Sequence, residues 1–112
     1  MEINLLKKLP QKSKKKPLKL RSKVSLYDKT LSWRLDKEYF DGLRSQGYGG
    51  YKYDGRWKPI VEDFINHYKL SNDAKILDIG CAKGYLLDEF KKKLKKSTVC
   101  GIDISNYAIS KN

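Results

Sequence analysis

Lys75-Ile76-Leu77-Asp78-Ile79-Gly80-Cys81-Ala82-Lys83-Gly84-Tyr85-Leu86-Leu87 decides the fold. It reads as a buried strand at 75–79, a turn framed by Gly80 and Gly84, and a helix that follows without a linker. Downstream, the helix should run from about residue 84 to 95. Its inner face is Leu86, Leu87, Phe90 and Leu94, and Lys91, Lys92, Lys93, Lys95 and Lys96 lie outside. A second strand is expected at 98–103, ending on Asp103, nineteen residues beyond Gly84, and another helix begins after Ser105. Upstream, Ser71-Asn72-Asp73 is a turn, and a helix is expected at 58–69. Pro59 suits its first turn, Glu62 and Asp63 favour the positive end of its dipole, and Ile60, Val61, Phe64, Ile65 and Tyr68 form one apolar stripe. Helix, strand, helix, strand and helix in that order open a doubly wound parallel α/β sheet. Two strands alone would leave a long exposed edge, so a larger domain is expected.

Further upstream the pattern weakens. Residues 47–57 hold four glycines, three tyrosines and a tryptophan, which suggests a loop with rigid packing partners. A short helix capped by Asp36 is expected over 36–44, and residues 24–35 show no clean period and are read as irregular. Nine Lys or Arg and one acid lie in residues 1–23, out of a net charge of +12 over 112 residues. With Pro10, Pro17 and few large apolar residues, this segment reads as a basic, disordered arm. Such an arm attracts polyanions without geometric specificity, and nucleic acid enters the reading only through it. No apolar run approaches the roughly 18 residues of a membrane span, and no secretory signal is visible. Cys81 and Cys100 lack metal-type spacing and read as reduced, buried thiols, so a cytoplasmic location is expected. His67, the single histidine, has no partner in view and is given no role.

The chemistry concentrates beside the first strand-to-helix turn, where doubly wound sheets bind ligands. Asp78 ends the first strand, and Gly80 and Gly84 let a ligand approach the backbone. The free amides of the following helix face the same place. Asp103 ends the neighbouring strand, where a carboxylate can accept both hydroxyl hydrogens of a ribose. The dinucleotide pattern G-x-G-x-x-G fails at Ala82 and Tyr85, and the phosphate-loop pattern fails because Lys83 precedes its glycine.

Asp78-Ile79-Gly80-Cys81-Ala82-Lys83-Gly84, followed by Gly101-Ile102-Asp103-Ile104-Ser105, resembles the first two motifs of class I S-adenosylmethionine-dependent methyltransferases. The resemblance implies the N-terminal portion of a Rossmann-like doubly wound sheet over 58–112, and the irregular aromatic and Gly-rich segment read at 24–57, with its short helix, precedes it. It implies S-adenosylmethionine as cofactor. The Gly80–Gly84 turn, Cys81 and Ala82 included, would carry the methionine part, Asp78 would orient it, and Asp103, with Ile104 beside it, would take the ribose. Ala82 stands where the family usually has a central glycine. Arg56, in the aromatic loop, is a candidate partner for the cofactor's carboxylate. Tyr39-Phe40-Asp41-Gly42 and residues 48–57 are similar to a subgroup from bacterial surface-sugar and lipopolysaccharide biosynthesis, which implies a small-molecule or sugar-type acceptor. The rest of the family fold is expected beyond residue 112, so this chain alone is expected to be incomplete and inactive. No catalytic base and no metal ligand is named. The competing readings are a basic binding module, for a polyanion or a protein partner, and a non-catalytic fragment.

Overall fold

The computed structural model describes residues 1–10 and 24–111. Seven elements follow in order: α1 (Leu26–Trp33), α2 (Lys37–Asp41), α3 (Lys58–Tyr68), β1 (Lys75–Ile79), α4 (Tyr85–Lys93), β2 (Thr98–Ile102) and α5 (Asn106–Ile109). β1 and β2 pair in parallel, with Lys75 opposite Thr98 and Ile79 opposite Ile102. The molecule is thus a mixed α/β structure with a small open sheet flanked by helices.

The strand period of two divides the sheet into unlike faces. Ile76, Asp78, Val99 and Gly101 face the helices, while Leu77, Ile79, Cys100 and Ile102 are exposed on the opposite face. The core forms on the covered face, where Val61 of α3 meets Phe90 and Leu94 beneath Phe64, Ile65, Ile76 and Val99. The 3.6-residue stripes of α3 and α4 therefore converge on one side of the sheet. Lys93 of α4 reaches Glu62 of α3 across the top of that contact.

Several expectations change. α3 and α4 each end before the predicted boundary, and α3 terminates on Lys69 in the left-handed conformation (φ 51°). Glu62 and Asp63 lie past the first turn of α3 and serve as ion-pair partners instead, Glu62 to Lys93 and Asp63 to Lys8. Residues 26–33 are helical, not irregular: Ser25 caps α1 by accepting from the Asp28 amide at 3.0 Å. The helix escapes a periodicity reading because Leu26, Tyr27 and Trp33 all face solvent and only Leu31 is buried. Asp36 caps α2 as expected, but that helix stops at Asp41. Cys100 is exposed, since its register places it on the uncovered sheet face, whereas Cys81 is buried. Of the basic arm, residues 5–8 form a turn and Lys8 meets Asp63 at 2.6 Å; residues 11–23 lie outside the described residues. Among the described residues no helix is long and apolar enough to cross a membrane, and no His/Cys/Asp/Glu group is placed to hold a metal ion.

Candidate functional site

Gly80, Ala82 and Gly84 all have positive φ (85°, 48° and 74°), and the intervening Cys81 and Lys83 do not. Alternation of this kind turns successive backbone N–H groups toward one side and makes a concavity suited to an anion. The anion is supplied from within. Asp103, just past β2, accepts from the Ala82 amide through Oδ2 and from the Ser105 amide through Oδ1, both at 2.7 Å. The turn is also sewn to β2 by the Gly80 and Cys81 amides, which share the Ile102 carbonyl. Gly84 leads into α4, whose N-terminus has no side-chain cap.

Asp78 sits half-buried at the end of β1, and its carboxylate has no hydrogen-bond donor among the described residues. Burial, with Asp103 nearby, raises its pKa above the ordinary aspartate range. Cys81 is pushed up in the same way, by burial first and then by Asp78 and Asp103. Its side chain packs under the turn against Gly101. A Cβ at 101 would lie 2.6 Å from the Cys81 sulfur and 2.7 Å from Leu87 Cδ1, so only glycine fits there. Above the turn the space is open: no atom comes within 4 Å of where a Gly80 side chain would begin. A cavity of about 350 Å³ opens there, lined by Ile79, Gly80, Ile102, Asp103 and Ile104.

The structure thus gathers Asp78, Gly80, Cys81, Ala82, Gly84, Asp103 and Ile104 at one end of the sheet. Arg56 is placed elsewhere. It lines a second cavity, of about 470 Å³, and its guanidinium grips Asp54 (2.6 Å from Nη2), which holds that carboxyl down at about 2.

Lys83 and Asp41 were not foreseen. Lys83 lies within the turn, is only 8% exposed, and donates to both oxygens of Asp41 (2.7 and 2.8 Å) and to the Tyr51 carbonyl (3.1 Å). Asp41 also accepts from the Tyr107 hydroxyl at 2.7 Å, and Tyr85 donates its hydroxyl to the Tyr51 carbonyl. Lys83, followed by Tyr107, holds the Asp41 carboxyl below its usual range. Phe40 is buried at the centre of the rings of Tyr39, Tyr48, Tyr51 and Tyr107. The tyrosines of the loop thus pack on α2 and α4. The one signal in the sequence was a lysine inside a glycine turn; its partner is 42 residues away.

Comparison with protein families matches the methyltransferase domain over residues 50–112, more than half of the chain. The chain belongs to that family. No curated protein and no solved structure matches it.

Proposed function

We propose that this chain carries the cofactor-binding portion of a class I S-adenosylmethionine-dependent methyltransferase, built as the opening of a Rossmann-like sheet. The observation that carries the reading is the left-handed turn at Gly80, Ala82 and Gly84 gathered onto Asp103, with Asp78 unpaired beside it. The residues suit the cofactor's chemistry. Two carboxylates attract a cationic ligand, the bare backbone at Gly80 permits close approach, and Ile79, Ile102 and Ile104 offer an apolar surface to a flat base. Asp103 spends one lone pair of each oxygen on a backbone amide, Ala82 of the turn and Ser105, and a carboxylate retains further acceptor capacity for ribose hydroxyls.

When bound, S-adenosylmethionine supplies a methyl group on a positively charged sulfur: an acceptor lone pair bonds to the methyl carbon while the carbon–sulfur electron pair returns to sulfur as a neutral thioether. The protein's contribution is alignment. Asp103 holds the turn and the ribose in one frame, Asp78 fixes the amino-acid end, and the isoleucines shield the base from water. Arg56 belongs to this arrangement only if the methionine end reaches past Tyr51 toward the second cavity.

Calorimetric titration of the protein with S-adenosylmethionine tests the reading. Asp103→Ala should lose about 1.5–3 kcal/mol of binding, the worth of hydrogen bonds to a charged acceptor. Unchanged affinity would refute the ribose assignment.

A further inference from the structure

The second cavity lies between the aromatic loop and the start of α4, and it differs in chemistry from the first. Its walls carry the rings of Tyr48, Tyr53, Trp57 and Tyr85 and the cations Arg44, Lys52 and Arg56. Asp54 is its one acid, and Arg56 already neutralises it. Arg44 spends Nη1 on the Gly47 and Tyr48 carbonyls and meets no carboxylate, and the Lys52 side chain has no partner among the described residues. The cavity therefore holds two unneutralised positive charges beside exposed aromatic faces. It borders the cofactor turn: Tyr85 directly follows Gly84, and the Tyr51 carbonyl holds both Lys83 and Tyr85. The Tyr51 phenol, also in its wall, is close enough to Asp78 to feel that carboxylate.

Charge separates the two cavities. Asp103 lines the Gly80 cavity, and Asp78 lies at the turn between that cavity and Tyr51, so a cationic sulfonium is favoured beside these two carboxylates. The aromatic side is cationic and repels the same molecule, and it favours an anion. From this segregation we infer that the aromatic cavity is the methyl-acceptor site and takes a ring-bearing molecule carrying a phosphate or carboxylate. Flat or saturated rings stack on tyrosine and tryptophan faces, and the arginine fork and Lys52 supply donors for the anionic group. A volume of about 470 Å³ lies within the roughly 300–1,000 Å³ of small-molecule sites. Tyr48 and Tyr51 have phenol pKa values raised by burial, so both keep their hydroxyl hydrogens at neutral pH. This inference rests on the methyltransferase reading of the neighbouring turn.

Amide-resolved NMR titration of the 112-residue chain tests it. The probes are α-D-glucose 1-phosphate and 4-hydroxybenzoate, with glucose and inorganic phosphate as controls. Either ring-bearing anion should shift Tyr48, Lys52, Tyr53 and the Trp57 indole, and the one that binds reports whether the ring is saturated or aromatic. The controls should act far more weakly. Lys52→Ala should weaken the binding probe about threefold to fivefold, the worth of an exposed charge contact, and leave the S-adenosylmethionine titration unchanged. Glucose binding as well as its phosphate, shifts confined to the lysine-rich arm, or no shift at all would overturn the proposal. So would S-adenosylmethionine shifting the aromatic loop in place of Gly80–Asp103. Absence of any S-adenosylmethionine shift, with the anion still bound at the loop, would remove the cofactor assignment and the acceptor role while leaving an anion site.

Discussion

Ala82 carries a backbone cost at the level of single residues. Left-handed backbone costs a residue with a Cβ about 1–2 kcal/mol, and Ala82 has φ 48° between two glycines that adopt the conformation freely. Ala82→Gly should therefore stabilise the fold by about 0.5–1 kcal/mol, the strain relieved less the extra entropy of an unfolded glycine. A urea midpoint that does not rise would show that the alanine methyl makes a compensating contact. Asp78 is the second costly residue. Its folded pKa is raised above 3.8, so between that value and its folded pKa the folded protein holds more protons than the unfolded chain. Stability falls as pH rises through that window and stays lower above it. Asp78→Asn should thus be more stable than the parent at neutral pH, lose the fall above about pH 4, and bind S-adenosylmethionine less well. Parallel stability curves for the two proteins would disprove the unpaired carboxylate. The glycines and both acids were visible in the sequence because their pattern is local. The Asp103 bonds to the turn were not, since they depend on strand register.

Among the elements, the ion pair of Lys83 and Asp41 decides how the N-terminal segment meets the sheet. α2 and the aromatic loop meet through the rings around Phe40, Lys83 joins both to the turn, and Tyr107 joins α2 to α5. Lys83→Met should cost about 1.5–3 kcal/mol, the worth of hydrogen bonds to a charged group and below the roughly 3–5 kcal/mol of a fully buried pair, because Asp41 remains 28% exposed. Asp41→Asn should cost a similar amount, and the double variant less than the sum. Strict additivity in that cycle would mean that the two do not act together. The pair should also give the parent a component of stability present above about pH 3.8 and lost as pH falls through the lowered Asp41 value, which Lys83→Met removes. α3, β1, α4 and β2 were legible because their apolar spacing repeats within each element. α1 was not, because it has one buried residue and its cap bond is its main local signal.

For the whole molecule, the uncovered sheet face is the dominant fact. Leu77, Ile79, Ile102 and Ile104 are exposed by half or more, with Ile79 at 76% and Ile104 at 83%. The radius of gyration is 16.5 Å, against about 13 Å for a compact domain of this length. Such a face drives association through buried apolar area, opposed by the net charge of +12. Sedimentation at moderate salt should show concentration-dependent association. Ile79→Lys should weaken it about tenfold or more, the loss of one apolar side chain's burial worth roughly 1.5 kcal/mol. Unaltered association in that variant would place the contact elsewhere, on the sheet edge or the N-terminal arm.

The sequence alone determined the strand–turn–helix, its glycine spacing, the acid at the end of the second strand and the methyltransferase resemblance. Each of these is written in neighbouring residues or in a short repeat. Tertiary structure alone decided that Asp103 is bound by the turn, that Lys83 reaches back to Asp41, and that Arg56 belongs to a cavity of opposite charge. The first two of these join residues 21 and 42 positions apart. They follow from which face each element turns inward, which no local pattern states.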